Sequence, residues 1–154
     1  MRVLFINRAT LYTNRGGDTV QMENTACALR QLGVKVDIEL CNNPAIDYSK
    51  YDLIHFFNII RPANIIHHID KAGKPFVISP VYLMYHDLLK NGRDAKSRML
   101  SLFGRDEQEY LKCLARSLFN HEKIVSRKYL SLGHKRSIQY ILDKCSHLLP
   151  NSHS

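Results

Sequence analysis

The sequence lacks any long hydrophobic run, and this absence excludes a membrane-spanning helix. No uninterrupted apolar stretch approaches the roughly 20 residues that such a helix needs. The first nine residues, MRVLFINRA, also lack the long apolar region and the small-residue cleavage site of a secretory signal. With 154 residues the chain is long enough for one domain with a core and too short for two. We therefore expect residues 1–154 to form a single domain of a soluble, cytoplasmic protein.

Closely spaced metal ligands are also absent. The four cysteines lie far apart in the sequence, at Cys27, Cys41, Cys113 and Cys145. No C-x-x-C pair occurs among them, which excludes a zinc knuckle and a thioredoxin-like redox site. His67 and His68 are neighbours, and adjacent side chains on a helix point about 100° apart instead of toward one metal ion. We expect reduced thiols that mostly pack inside the protein, no metal ion and no cofactor.

Apolar runs of strand length recur along the chain. Strands are predicted at residues 2–6, 34–40, 52–58, 76–79 and 145–152. The first run is apolar almost throughout, which is typical of a central strand. The second alternates with charged residues, which is typical of a more peripheral strand.

Helical patterns separate these strands. One helix is predicted from a cap at Asp18 or Thr19 to Gly33, a second over residues 62–72, and a basic helical region over residues 82–143. Strands that alternate with helices favour a parallel sheet covered on both faces. The sequence therefore predicts an α/β fold, a Rossmann-like three-layer domain with a mostly parallel sheet and a helical basic excursion between the fourth strand and the last.

The two common glycine motifs for phosphate binding, G-x-G-x-x-G and the P-loop, are both missing. Residues 5–33 nevertheless pass from an apolar strand through Gly16 and Gly17 into the first helix. In a parallel sheet this loop is the usual anion site, because a helix N-terminus offers unpaired N–H groups and about half a positive charge. Arg8 and Arg15 add positive charge to the same loop. Gly16 and Gly17 are therefore candidate phosphate-binding residues.

A plain structural interpretation of the same glycines stays open. In that interpretation they only turn the chain into a helix. The Asp18 carboxylate then satisfies the first helical amides and repels a phosphate. The sequence pattern favours neither interpretation over the other.

Five motifs, taken in chain order, carry a family resemblance. They are MRVLFIN, the Gly-Gly pair before a helix that ends in ALRQLGVKVDI, YDLIHFFN, GKPFVIS and the terminal SHLLPNS. Together they resemble the N-terminal half of the retaining GT-B glycosyltransferases of family 4, and the match spans essentially the whole chain. The resemblance implies the acceptor-side domain of a two-lobed hexosyltransferase of polysaccharide biosynthesis. The chain stops directly after a strand, so we expect a fragment that lacks the C-terminal donor-binding domain.

The resemblance also implies contacts. Gly16 and Gly17 would reach the diphosphate of the nucleotide-sugar donor, a substrate, and stabilise the leaving group. Contacts with a glycan or lipid-linked acceptor are expected from polar residues of the first loop and the strand ends, namely Asn7, Arg8, Arg15, His55, Asn58, Ser79 and Tyr82. The alternative for the candidates in loops is that they are polar only because loops are exposed to solvent. For His55 the alternative is a strand histidine whose ring bonds a neighbouring backbone group.

Two departures from the family pattern leave the catalytic residues unassigned. Members commonly carry a histidine just after the fourth strand, where this chain has Val81, and His86 follows too late in the sequence to take its place. The carboxylate-bearing segment of the second lobe has no counterpart here. The chain alone is therefore expected to have no transferase activity.

Positive charge is concentrated in residues 90–136. This segment holds twelve Lys and Arg against five acidic residues, which amounts to +7 of the net charge of +8. Its apolar residues recur at helical spacing, and one interpretation is peripheral contact with the inner face of an anionic membrane, or recruitment of an anionic glycan or phosphate-bearing acceptor. A solvated face of a packed helical region is the alternative.

Two other functions fit part of the sequence. Nucleic-acid binding fits the isoelectric point near 9.4, but no zinc finger, helix-turn-helix or aromatic platform motif accompanies it, so we expect no nucleic-acid partner. A non-catalytic nucleotide- or sugar-binding α/β module is the second. Salt-dependent binding to oligonucleotides would favour the former, and nucleotide-sugar affinity of this lobe alone would favour the latter.

Overall fold

The chain forms a parallel β-sheet with helices on both faces, as the sequence pattern predicts. The computed structural model describes residues 1–59, 61–80 and 126–149. The strands are β1 (Arg2–Asn7), β2 (Lys35–Leu40), β3 (Leu53–Phe57), β4 (Phe76–Ser79) and β5 (His147–Leu148). The helices are α1 (Gly17–Gln31), α2 (Pro62–Ala72) and α3 (Arg127–Lys144), and a short 3-10 turn covers Tyr48–Lys50. The predicted Rossmann-like three-layer α/β fold is confirmed.

The strand order places a topological switch beside β1. The five strands lie in the order β2-β1-β3-β4-β5, and the described pairings are all parallel. The central position of β1 and the peripheral position of β2 are both confirmed. The chain leaves β1 toward β2 and then returns to the other side of β1 as β3. The loops after β1 and β3 therefore diverge at the carboxyl edge of the sheet, which is where open α/β sheets bind ligands.

Both faces of the sheet are packed. The side chains of β1 alternate between two buried clusters, because successive residues of a strand point to opposite faces. Val3 and Phe5 pack with Met22 of α1 on one face. Leu4 and Ile6 belong to the cluster on the other face, which α2 and α3 cover. Burial on both faces explains why the β1 sequence is almost continuously apolar.

The C-terminal part differs from the predicted boundaries. Cys145 caps the end of α3, so the last strand begins at His147 and is shorter than the predicted 145–152. Residues 150–152 of that prediction lie outside the described residues. Most of the predicted basic excursion over residues 82–143, namely residues 82–125, lies outside them as well. Within α3, Gly133 has non-helical dihedral angles (φ 72°, ψ 179°) and interrupts the helix.

Three of the four cysteines are described, and all three are free thiols. Cys41 is buried, Cys145 is half-buried and Cys27 is exposed on α1. Two of these three thiols are thus at least partly packed inside, Cys27 is the exception, and Cys113 lies outside the described residues. None of the three helices that the structure describes is long and apolar enough to cross a membrane.

Candidate functional site

A buried ion pair holds the loop between β1 and α1. Nε and Nη2 of Arg8 donate to the two carboxylate oxygens of Asp18, at 2.7 and 3.0 Å. The remaining N–H groups of Arg8 donate to the carbonyl and hydroxyl oxygens of Thr10, at 2.9 and 3.0 Å, and to the carbonyl of Asn14, at 2.5 Å. The side chains of Arg8 and Asp18 are only 9% and 8% exposed. All five N–H groups of the guanidinium thus serve the fold of the loop, and none remains for the predicted acceptor contact.

The same ion pair changes the electrostatics of the helix start. Hydrogen bonds from Arg8 lower the pKa of Asp18 and outweigh burial, which acts in the opposite direction. Asp18 therefore stays ionised, and the adjacent guanidinium neutralises its charge. The repulsion that a lone carboxylate would exert on an approaching phosphate is largely cancelled.

The helix cap differs from the prediction that Asp18 or Thr19 caps α1. Gly16 is the N-cap residue, and its N–H donates to Oγ1 of Thr19 at 3.2 Å. The Thr19 N–H is held by Oδ1 of Asp18 at 3.0 Å. Asp18 lies inside the first turn because its carboxylate is drawn back to Arg8. Of the two predicted anion-binding amides, that of Gly16 is used within the protein, whereas that of Gly17 has no acceptor in the described part of the chain.

The two glycines have different surroundings. A Cβ atom on Gly16 would lie 3.0 Å from Oδ1 of Asp18, whereas a Cβ atom on Gly17 would meet no atom within 4 Å. Gly16 is therefore required by the close approach of the protein's own carboxylate. Gly17 is exposed, and the space beside it is open to a ligand.

A matched pair of alanine variants tests this difference. We expect Gly16→Ala to lower the free energy of unfolding by about 1–2 kcal/mol, because Oδ1 of Asp18 is held by two hydrogen bonds and cannot move aside easily. Gly17→Ala is expected to leave stability unchanged or to raise it by up to about 1 kcal/mol. Urea unfolding of both variants measures the difference, and equal losses would contradict the assignment of separate roles.

Three predicted acceptor residues are inside the protein. Asn7, His55 and Ser79 are between 3% and 4% exposed. Oδ1 of Asn7 accepts the N–H of Arg8 at 2.7 Å. Nε2 of His55 and the hydroxyl of Ser79 are hydrogen-bonded at 2.8 Å, and the imidazole stacks on Phe57 at 4.2 Å between ring centres. The structure therefore places these three side chains in hydrogen bonds of the domain itself, and their contact with an acceptor stays a prediction.

The alternative for His55 also needs correction. Its ring bonds the side chain of Ser79, not a neighbouring backbone group. Burial lowers the pKa of His55 to about 4, so the imidazole is neutral at physiological pH. The pair joins β3 to β4 inside the domain and serves the fold.

Arg15 is exposed, and Asn58 is half-buried. Nη2 of Arg15 lies 2.7 Å from a carboxylate oxygen of Glu23, and both side chains are more than a third exposed, so this pairing is weak and leaves Arg15 accessible. Asn58 follows β3 directly and has a left-handed backbone conformation (φ 71°). Apart from glycine, asparagine is one of the residues that adopt this conformation most readily. Its N–H donates to the carbonyl of Ser79 at 3.0 Å. Tyr82 lies outside the described residues.

A small cleft opens between the carboxyl ends of β1 and β3. Its polar lining comes from the end of β1, the loops after β1 and β3, the end of β2 and the first turns of α2, with Asn7, Arg8, Cys41, Asn58, Arg61, Asn64 and His68. The enclosed volume of about 20 Å³ holds about one water molecule, so a sugar ring does not fit inside it. Arg61, Asn64, His68 and Cys41 were not predicted from the sequence. Their signal was their place directly after a strand or in the first turns of the next helix.

The floor of this cleft is a neutral histidine. Nε2 of His68 lies 3.1 Å from the carbonyl oxygen of Cys41, which only accepts, so Nε2 carries the proton. Nδ1 then accepts from the hydroxyl of Tyr48 at 2.6 Å. Burial is the main cause that lowers the pKa of His68 to about 4. His68 therefore adds no charge to the cleft.

The chain matches no protein-family model, no curated protein and no solved structure. Residues 1–59, 61–80 and 126–149 contain no group of three or more His, Cys, Asp or Glu side chains that could hold a metal ion.

Proposed function

We propose that the chain is the acceptor-side N-terminal domain of a retaining GT-B glycosyltransferase that transfers a hexose from a nucleotide-sugar to a glycan or lipid-linked acceptor. The observation that carries the proposal is the exposed Gly17 at the start of α1, with open space beside it and a neutralised carboxylate behind it. The parallel sheet and the order of the motifs along it support the same assignment.

In this proposal the donor diphosphate contacts the Gly17 amide. The start of α1 offers a partial positive charge, and the ion pair between Arg8 and Asp18 removes the local negative charge that would oppose it. Arg15 lies two residues before Gly17 and adds an exposed cation. These groups would stabilise the negative charge that develops on the leaving diphosphate. Gly16 acts indirectly, because it leaves room for the ion pair.

The proposal includes peripheral contact with the cytoplasmic face of an anionic membrane. Exposed basic side chains of α3 support it, namely Arg127, Lys135 and Arg136. Each cation near such a surface contributes about 1 kcal/mol to binding. The basic residues from Lys90 to Lys123 lie outside the described residues.

Gly17→Val tests the proposed donor contact. A Cβ atom at this position would meet no protein atom within 4 Å, so we expect the fold to persist while the valine side chain blocks the approach of a phosphate. The assay uses the chain joined to a donor-binding domain and measures turnover of the nucleotide-sugar. We expect Gly17→Val to reduce this turnover at least about tenfold, which corresponds to the loss of one charge-assisted hydrogen bond.

The matched control is Asn24→Val, which places the same side chain on an exposed position further along α1. This control should leave turnover unchanged. Unchanged turnover in Gly17→Val would remove the glycine from the mechanism. Absence of any turnover with UDP-linked or GDP-linked hexoses would contradict the transferase proposal itself.

A further inference from the structure

We propose that Tyr12 is a stacking platform for a sugar ring of the acceptor, and that Thr13 and Asn14 beside it bind the hydroxyl groups of that ring. The identity of the sugar as an acceptor rests on the proposed function. The contact with a sugar ring rests on the loop between β1 and α1 alone. The platform is separate from Gly17, which belongs to the donor contact.

The loop that carries Tyr12 is fixed from inside the domain. The backbone N–H of Leu11 donates to the carbonyl of Arg8 at 3.1 Å, and the N–H of Asn14 donates to the carbonyl of Thr10 at 2.9 Å. The buried guanidinium of Arg8 donates to the carbonyls of Thr10 and Asn14 as well. The side chain of Leu11 is fully buried and anchors the turn to the core. The turn that exposes Tyr12 is therefore formed before a ligand arrives, which reduces the ordering cost of binding.

The buried ion pair of Arg8 and Asp18 also indicates a role for this loop beyond stability. Replacement of a buried ion pair by apolar residues often leaves stability unchanged, because the cost of removing both charges from water offsets their attraction. This pair instead fixes one conformation of a loop in which residues 12–15 are all exposed. A fixed loop that presents its side chains to solvent is typical of a binding surface.

Tyr12 presents its aromatic ring to solvent. The residue is 55% exposed, and within the described ranges it makes no hydrogen bond, ion pair or ring contact. The face of a tyrosine ring is apolar and carries negative charge density. The C–H groups on one face of a sugar ring are apolar and slightly positive, so they pack on such a face while the hydroxyl groups point sideways.

Val20 extends this apolar surface toward the donor contact. It lies in the first turn of α1 and is 52% exposed. The hydroxyl of Thr19 donates to the carbonyl of Leu11 at 3.4 Å, which joins the sequence neighbours of Val20 and Tyr12. Val20 follows Gly17 by three residues, so the two are neighbours on the helix surface. A sugar on this surface would lie next to the diphosphate, as transfer between the two substrates requires.

Neutral hydrogen-bonding groups accompany the aromatic ring. The exposed side-chain amide of Asn14 has no partner in the part of the chain that the structure describes, and it offers both donors and an acceptor. The hydroxyl of Thr13 donates to the carbonyl of Thr10 at 3.4 Å and can still accept. Residues 10–14 contain no carboxylate and no cation. This combination favours a neutral sugar over a phosphate or a nucleic-acid backbone, both of which require cations.

Titration of the isotope-labelled 154-residue chain with methyl α-glucopyranoside, methyl α-mannopyranoside and methyl α-galactopyranoside tests the inference. We expect at least one of these glycosides to shift the amide resonances of Tyr12, Thr13 and Asn14 in a saturable manner. The C–H protons of the bound sugar should shift upfield, because they lie over the face of an aromatic ring. A purely structural Tyr12 would not produce this upfield shift.

Two variants of Tyr12 separate stacking from other contacts. Tyr12→Ala removes the ring and should weaken glycoside binding at least about fivefold, whereas Tyr12→Phe keeps the ring and should weaken it less than about twofold. Both variants should fold like the unmodified chain, because the side chain is exposed. The control is Leu32→Ala, at an exposed leucine between α1 and β2 on the opposite edge of the sheet, and it should bind like the unmodified chain.

The outcomes separate this surface from the proposed function. No saturable shift with any glycoside, or binding that Tyr12→Ala leaves unchanged, would overturn the inference. Equal losses in Tyr12→Ala and Tyr12→Phe would overturn stacking and assign the contact to the phenol hydroxyl. Glycoside binding without turnover of any nucleotide-sugar by the chain joined to a donor-binding domain would contradict the transferase proposal and leave the sugar contact standing. Turnover without glycoside binding would do the reverse.

Discussion

Acidification from pH 7.5 to pH 5 is expected to lower the free energy of unfolding by about 4 kcal/mol. Burial lowers the pKa of both His55 and His68 to about 4, whereas an unfolded histidine has its ordinary pKa near 6.5. Below pH 6.5 the unfolded chain takes up protons that the folded protein does not. The contribution of the two histidines to the free energy of unfolding is therefore fully present above pH 6.5. It is lost as the pH falls toward 4, and the loss at pH 5 is about 2 kcal/mol per histidine.

Urea unfolding at several pH values between 7.5 and 5 measures this loss. The carboxylates of Asp18, Asp37 and Asp70 have pKa values below the ordinary value of 3.8, so their contributions are lost only at lower pH and do not interfere. The double variant His55→Phe with Ser79→Ala removes one histidine together with its hydroxyl partner, so no buried polar group is left unpaired. It should show about half the loss, and an unchanged pH dependence would contradict the assignment.

Removal of the Arg8 guanidinium is expected to cost about 3 kcal/mol of stability. Arg8→Met leaves the carboxylate of Asp18 buried without its counterion, and an uncompensated buried charge is strongly destabilising. Chemical unfolding at pH 7.5 measures the change. The matched control is Arg15→Met in the same loop, whose ion pair with Glu23 is exposed and should be worth less than about 1 kcal/mol.

A double variant identifies the cause of that loss. Arg8→Met combined with Asp18→Asn removes both charges and keeps an oxygen that can accept the Thr19 N–H. We expect the double variant to be more stable than Arg8→Met alone, because no buried charge remains. A double variant that is less stable than Arg8→Met would show that Arg8 acts mainly through its contacts with Thr10 and Asn14.

Hydrophobic periodicity predicted the architecture because it reports burial directly. The continuous apolar run of β1 and the alternating run of β2 correspond to a central and a peripheral strand. Pro62 and Gly73 marked the limits of α2, since one fits the first turn of a helix and the other adopts the left-handed cap conformation. These signals are local and therefore visible in the sequence.

The site residues were harder to predict because their partners are distant in sequence. The pair of His55 and Ser79 forms only when β3 and β4 align, and that of Arg8 and Asp18 only when the loop closes. Residues at strand ends were expected to face the ligand, but side-chain parity decides their direction. Asn7 lies on the same face as Phe5 and so points beneath α1, whereas Asn58 has already left the strand.

The strand order also determines how the chain must fold. Every described pairing joins segments that are remote in sequence, from Ile54 with Phe76 to Val77 with His147. Parallel neighbours cannot be joined by a tight hairpin, so each pairing requires closure of a long loop before any contact compensates the lost entropy. A high contact order of this kind slows folding. We therefore expect folding rates in the slow part of the range for small domains, with the edge strand β5 added late.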